Sequence, residues 1–385
     1  MESVLREKIV RRRAHRDAAS RSARCDRLRG DDADQRNKST MKILALPYRE
    51  TAEGNPVQAL LYDAMEKAGA QVSSYSRRRL LRESWDVWHL HWPLEYVIHG
   101  TDPHAIARRL ATFALALKVA RFRKTKIFWT VHNIRPHEQK YPLLERWFWR
   151  IFLPSLDGII CMSEAGRQEL LREHPQTRSV PTFTIPLGHY RGAYPDVVSK
   201  DEARAALDIP KERMVALFIG QIRPYKGVAE LIRCFVEARL TDAELLVAGK
   251  AEEGMARAIR RTAAAAPNVR LALAFIPRDE LQLYLRAADL VILPFTEILN
   301  SASALLALSF DRPILVPAQG ALPELHQIVG PEWMRLYHGP LSPMIVRDAM
   351  EWAASRAIPR GLHAPLDRLG WDEIGRLTLR AFSAV

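Results

Sequence analysis

The strongest constraint on this chain is a rhythm that begins at Met41. Short runs rich in aliphatic and β-branched residues alternate with longer amphipathic stretches, and the series runs through twice. Buried strands are expected over 42–47, 86–91, 126–132 and 158–162, then over 214–219, 244–248, 289–294 and 313–316. Amphipathic helices are expected over 57–68, 104–121 and 227–238. Parallel neighbours need a long crossover, usually a helix, so this repetition predicts α/β architecture with doubly wound parallel sheets. Residues 190–213, rich in Pro, Asp, Lys and Arg, separate the two series. The division that follows is an extension at 1–40, Rossmann-like domains at 41–195 and 196–364, and a closing segment at 365–385. That last segment carries Trp371, Ile374, Leu377, Leu379 and Phe382 at roughly helical spacing. A length of 385 residues also favours two domains. In such sheets ligands sit beyond the carboxyl ends of the strands, so the loops there are the places to look for chemistry.

The first 40 residues read differently. They hold 12 Lys/Arg against 7 Asp/Glu, no aromatic residue, and no apolar run after the basic ones, which excludes a secretory signal. Two readings fit: a disordered extension, or a stretch upstream of a true start at Met41. The whole chain carries 57 Lys/Arg and 44 Asp/Glu, a formal charge of +13. That excess points to an anionic partner: nucleic acid, a phosphate-bearing substrate or a membrane surface. Cys25, Cys161 and Cys234, far apart and without a CxxC, exclude a disulfide scaffold and a thiolate zinc site, and fit a reducing cytosol. No run of 18 apolar residues is present, which rules out a spanning helix and leaves a soluble or peripheral chain.

The sharpest local signal is Phe218-Ile219-Gly220-Gln221-Ile222-Arg223-Pro224-Tyr225-Lys226-Gly227. A strand ends at Gly220, two cations occupy a short loop, and Gly227 opens a helix. Such a turn is either a phosphate site, with N–H groups and cations converging, or a solvated turn whose cations face water. It is not a Walker A loop, because the spacing and the hydroxyl after the lysine are missing. A second loop runs through Glu297, Asn300, Ser301 and Ser303 into a helix at 304–309. Its polar residues suit ordinary capping or a second set of donors for the same phosphates. In the first half, His89-Leu90-His91-Trp92-Pro93-Leu94-Glu95 and His132-Asn133-Ile134-Arg135-Pro136-His137-Glu138 end two neighbouring strands. Without HxxxH or HExxH spacing, acid–base or substrate hydrogen-bonding work is expected there rather than metal binding, beside an ordinary structural role. Asn55 lies in a turn that can face the same cleft.

The positive charge also has a location. Residues 103–137 hold eight Lys/Arg and no acid, Arg77, Arg78, Arg79 and Arg82 lie upstream, and 143–150 interleave aromatics with cations. A basic–aromatic surface suits anionic lipid headgroups, although the stripe Ile106, Leu110, Phe113 and Leu117 can equally pack on a sheet.

HLHWP at 89–93, HNIRPHE at 132–138, GHYR at 188–191, GQIRPYKG at 220–227, ILNSASALLALSFDRPILVP at 298–317 and VGPEWMRLYHG at 329–339 follow in an order that resembles a known family. The chain resembles the GT-B glycosyltransferases, and within them the β-mannosyltransferases of xanthan assembly, which move mannose from GDP-mannose to a polyprenyl-diphosphate-linked oligosaccharide. The resemblance implies two Rossmann-like domains facing a cleft, with a C-terminal helix crossing back to the first. It implies an inverting reaction without cofactor or metal, at the cytoplasmic face of a membrane, in exopolysaccharide synthesis. Its partners are a nucleotide sugar, a polyprenyl-diphosphate glycan and an anionic membrane surface, with no nucleic acid. Carried over residue by residue, Gly220, Arg223, Lys226, Gly227, Glu297, Asn300, Ser301 and Ser303 form the donor side. Asn55, His89, His91, Asn133 and His189 line the acceptor side, and the base is Glu138 or Glu95, with His137 and His132 as competitors. Two departures stand out. Ala302 replaces a glycine usual in the family loop, and the Glu-x7-Glu pair of retaining relatives is absent, because counting from Glu297 reaches Leu305 and aligning back from Arg312-Pro313 reaches Leu306. A retaining GT-B enzyme using a UDP-sugar or other donor, and a non-enzymatic polyanion binder, remain the alternatives.

Overall fold

The computed structural model describes residues 40–134, 141–356 and 361–385. Twelve strands are found there, arranged as two six-stranded sheets. The first contains β1 (Lys42–Leu46), β2 (Gln71–Ser74), β3 (Val87–Leu90), β4 (Lys126–Val131), β5 (Gly158–Cys161) and β6 (Thr182–Thr184), in the order β2-β1-β3-β4-β5-β6. The second contains β7 (Met214–Ile219), β8 (Ala243–Ala248), β9 (Val269–Ala272), β10 (Leu290–Ile292), β11 (Ile314–Pro317) and β12 (Met334–Tyr337), in the order β12-β11-β10-β7-β8-β9. Every pairing is parallel. Helices cover both faces, so the central strands are mostly apolar and buried throughout: all six residues of β8 and all four of β3 are buried, the ionised exception Glu244 being paired with Arg270. The expected parallel α/β architecture is the one observed.

The four strands not marked by hydrophobic runs, β2, β6, β9 and β12, are the four sheet edges. Their residues are largely half-buried or exposed, and an edge strand has no neighbour to demand apolar side chains on its outer side. The separator at 190–213 also contains a helix, Lys200–Ala206, started by a reciprocal cap between Ser199 and Glu202. The stripe Ile106, Leu110, Phe113 and Leu117 faces inward and is buried, so those four residues form core and not an outer surface.

The last helix, Trp371–Ser383, crosses back to the first sheet and packs along the helix Val57–Lys67. Gly375 permits this closeness, since a Cβ there would lie 3.0 Å from the Ala64 Cβ. At one end Trp371 donates from Nε1 to the His189 carbonyl at 2.6 Å. At the other, the Phe382 ring lies 4.6 Å from Phe128 and 5.0 Å from His89, centroid to centroid. Phe382 is fully buried. Phe382→Ala should therefore cost about 3–5 kcal/mol of unfolding free energy. Urea titration of the full chain checks this, and a loss below about 1 kcal/mol would mean that the helix does not dock as described.

Candidate functional site

The carboxyl ends of β7 and β10 adjoin at the point where the order of the second sheet reverses, which is where a sheet of this kind offers a crevice between the loops that follow its strands. Gly227 shows how closely those loops meet. It sits at φ +66° as the first cap of the helix Val228–Glu237, and a Cβ on it would fall 2.1 Å from the Pro294 carbonyl oxygen. Only glycine fits both demands. Gly220, at φ +134°, likewise leaves room for the Ser303 hydroxyl, 2.9 Å from where its Cβ would stand. The Thr296 N–H donates to the Tyr225 carbonyl at 2.9 Å and ties the loops together.

The cations of this crevice differ in their surroundings. Arg223 is ion-paired with Glu252, an exposed carboxylate from the next crossover. Lys226 has no carboxylate in reach among the described residues. Its Nζ lies 4.1 Å from the Phe295 ring centroid and 5.2 Å from that of Tyr225. Burial lowers its pKa to about 8, since a desolvated ammonium favours its neutral form. Ser301 accepts from the Ala304 N–H at 3.1 Å and starts the helix Ala302–Ser309, with its free N–H groups at the same strand ends. The Asn300 amide is buried at both Nδ2 and Oδ1 without a partner. Glu297 is exposed, and Leu305 is buried in the second core.

The first half brings together three of the expected histidines around a tyrosine. Tyr62, from the helix Val57–Lys67, places its hydroxyl 2.9 Å from His89 Nδ1 and 2.8 Å from His91 Nε2. His91 Nδ1 lies 2.8 Å from His132 Nε2, and His89 Nε2 lies 2.7 Å from the Thr130 hydroxyl. Trp92 stacks on His132 at 4.2 Å. Burial holds all three imidazoles neutral: it lowers His89 and His132 to about 3 and takes His91 well below the usual range. Glu95 occupies the short helix Pro93–Val97 at the exposed rim, and its side chain bonds Asn133. Crowding by protein raises its carboxyl pKa, against the hydrogen bonds that lower it.

Other expected residues fall elsewhere. Asn55 Oδ1 accepts from the Val57 N–H and from the Tyr190 hydroxyl, both at 3.2 Å, so its carbonyl oxygen is engaged within the protein. His189 stands at the junction with the last helix, its Nδ1 accepting from the Arg191 N–H at 3.2 Å. His137 and Glu138 lie outside the described residues. No group of His, Cys, Asp and Glu suited to hold a metal ion occurs among the described residues. Tyr62 was the residue not foreseen; a phenol on the inward face of an amphipathic helix is the signal, because a buried hydroxyl needs a partner. Two further contacts link segments distant in sequence. Leu299 packs into the first-half core beside Gly166, and the Glu324 carboxylate accepts from the N–H groups of Glu164 and Ala165 at 2.9 and 2.8 Å, at a helix start.

The neutral histidines have a consequence for stability. Unfolded, each would take up a proton near pH 6.5; folded, it does not, so stability is full above that pH and falls as pH drops from about 6.5 towards 3. Each group contributes at most about 1.4 kcal/mol per pH unit in that window. Half-buried His174 and His189, also lowered by burial, add in the same direction. Chemical denaturation at pH 7.5 and 5.5 should show a loss of several kcal/mol at the lower pH. Equal stability at both would mean that the imidazoles are protonated in the fold.

Comparison with known proteins places this geometry. Residues 199–316 match the family Glycosyl transferases group 1. The chain is similar to GDP-mannose:glycolipid 4-beta-D-mannosyltransferase of Xanthomonas campestris pv. campestris, 29% identical over 343 residues, 88% of this chain and 91% of the relative. It is also similar to D-inositol 3-phosphate glycosyltransferase of Mycolicibacterium smegmatis, 30% identical over 184 residues, 43% of this chain and 39% of that one. Among solved structures, Anabaena Alr3699/HepE in complex with UDP superposes with a TM-score of 0.60 at 15% identity, covering 90% of this chain and 100% of the other. WaaG, a glycosyltransferase involved in lipopolysaccharide biosynthesis, superposes at 0.57 with 14% identity, covering 90% and 99%. These likenesses show the fold, that of the GT-B glycosyltransferases.

Proposed function

We propose, from the premise that this chain is a GT-B glycosyltransferase carrying a group 1 domain, that it moves mannose from GDP-mannose onto a polyprenyl-diphosphate-linked oligosaccharide with inversion at the anomeric carbon. The observation that carries this reading is Lys226, a half-buried cation with no acid beside it, at the crossing of two loops beyond the strand ends. Such a charge is costly until an anion arrives, and a diphosphate supplies one. Arg223 can leave an exposed ion pair at little cost and join it, and the N–H groups that open the helix at Ala302 add dipoles. In the transfer, the acceptor hydroxyl gives its proton to Glu95 and its oxygen bonds the anomeric carbon. The bond to the nucleoside diphosphate breaks with its electron pair on the phosphate, facing Lys226. Glu95 suits this role because its pKa is raised, whereas desolvation of the His132 imidazole lowers its pKa and makes it resist an added proton.

The acceptor side matches a lipid-linked substrate. Leu115 and Phe122 on the helix Pro103–Phe122, and Leu143 and Trp147 on the helix Pro142–Phe152, are exposed among Lys118, Arg121, Arg146 and Arg150. Apolar side chains among cations suit the interface of an anionic bilayer. Arg146, Trp149, Arg150 and His174 also line a cavity of about 550 Å³ beside the second of these helices. No helix among the described residues is long and apolar enough to cross a membrane. The name of the Xanthomonas relative supports mannose, glycolipid and β-linkage together. A second reading, a retaining transfer from a UDP-sugar, is favoured by the neighbour solved with UDP and glucose, and is opposed by Leu305 and Leu306 at the positions of the missing acid.

A thermal-shift panel tests the donor. A ligand at about 100 times its Kd adds about 2.7 kcal/mol, so GDP and GDP-mannose should stabilise the chain and Lys226→Ala should abolish the shift. Stabilisation by UDP species alone would overturn the mannose donor. Lys226→Ala should also lose about 2–4 kcal/mol of transition-state stabilisation in turnover. With a free-protein pKa of about 8, Lys226 should bind the donor less tightly as pH rises through 8 and should take up a proton on binding there. Titration calorimetry at pH 8 in two buffers of different ionisation enthalpy reads that proton, and identical heats would contradict it.

A further inference from the structure

Thr130, His89, Tyr62, His91 and His132 form an unbranched chain of side chains with spacings of 2.7, 2.9, 2.8 and 2.8 Å. The first four are buried, and His132 is partly exposed just beyond the carboxyl end of β4. No Lys, Arg, Asp or Glu side chain is hydrogen-bonded to any of the five among the described residues. The charge that acts on Tyr62 is Glu50, from beyond hydrogen-bond range, and Phe382 closes the other side of His89 with a hydrocarbon ring. Nothing ionic therefore fixes where the protons lie.

Counting donors and acceptors couples them instead, into two arrangements. A neutral imidazole has one N–H and one lone pair, and a tyrosine hydroxyl has one proton to give. If Tyr62 donates to His91 Nε2, then His91 donates from Nδ1 to His132 Nε2, and the proton of His132 lies on Nδ1. If Tyr62 donates to His89 Nδ1, then His91 donates from Nε2 to Tyr62, His132 donates from Nε2 to His91, and Nδ1 of His132 is a lone pair. Thr130 completes either arrangement, because a hydroxyl gives or takes. The five groups reverse together, and the single open atom of the chain is Nδ1 of His132, which has no partner among the described residues.

We propose that Tyr62 is a positioning residue: through His91 it holds His132 in one tautomer, so that Nδ1 of His132 meets a sugar hydroxyl in the cleft with a defined hydrogen-bonding sense. This rests on the glycosyl-transfer reading for the identity of the ligand as a sugar. The locking itself needs no ligand. A sugar hydroxyl both donates and accepts, so it can answer whichever sense His132 is held in, whereas a phosphate oxygen only accepts. No proton leaves the chain in this role.

The test uses the full chain labelled with [15N]histidine, since the two ring nitrogens report the tautomer directly. At pH 7 the wild type should show His132 in a single neutral tautomer. Tyr62→Phe removes the bridging hydroxyl, and His91 and His132 should then average between tautomers. In the same variant kcat should fall by about tenfold or more, as when an orienting partner of a working imidazole is lost, with donor KM within about twofold. Thr130→Val provides a second reading from the opposite end. An orphaned buried acceptor is tolerated better than an orphaned N–H, so His89 should keep its proton on Nδ1 and the chain should place the proton of His132 on Nδ1. Tautomer averaging at His132 in the wild type, unchanged signals in Tyr62→Phe, or a proton on Nε2 of His132 in Thr130→Val would each overturn the proposal. Because these signals need no substrate, they fail or hold separately from the transfer reading.

Discussion

Phe382 lies between Phe128 and His89 because the final helix returns from the second sheet and packs on Val57–Lys67. Much of the cleft depends on that contact. The helix beneath it carries Tyr62, so its placement decides whether one hydroxyl can reach both His89 and His91. The return is held at both ends: the Trp371 indole donates to the His189 carbonyl, and Lys126 donates to the Val385 carbonyl at 2.7 Å. The chain's end thus becomes part of the shell around its first sheet. The loops that face each other across the strand ends are joined again by Asn55 with Tyr190 and by Leu299 against Gly166.

The two sides of the cleft are electrostatic opposites. On the second-sheet side a desolvated ammonium, an arginine held only by an exposed acid, and a helix start gather positive potential. On the first-sheet side the buried polar groups are neutral and bound to one another, and the carboxyl with a raised pKa sits at the rim. On the proposed reading, the second-sheet side receives the departing anion and the first-sheet side the hydroxyls.

Much of this was legible from residues alone, for physical reasons. Strands buried on both faces are mostly apolar, so the eight interior strands announce themselves, whereas β2, β6, β9 and β12 at the edges do not. Glycines forced by close approach, such as Gly227 against the Pro294 carbonyl, mark the loop after β7 because no other residue fits. Tyr62 was hidden because its role appears only once β3 and β4 stand beside its helix. Glu324 was hidden for the same reason: it serves a helix start 160 residues earlier in the chain. The cation-rich segment 103–137 was readable as charge but not as orientation, since its apolar stripe turned inward and other apolar residues, Leu115 and Phe122, faced out.

The most direct measurement is transfer itself. The purified full chain would be mixed with labelled GDP-mannose and a synthetic polyprenyl-diphosphate oligosaccharide in anionic vesicles, and the anomeric proton and carbon of the product read by NMR. The account predicts label in the lipid fraction with the β configuration, opposite to the α-linked donor. An α-linked product would mean retention and a different set of reacting groups. Label that stays in the aqueous phase with GDP-mannose intact would contradict the assignment of donor and acceptor together.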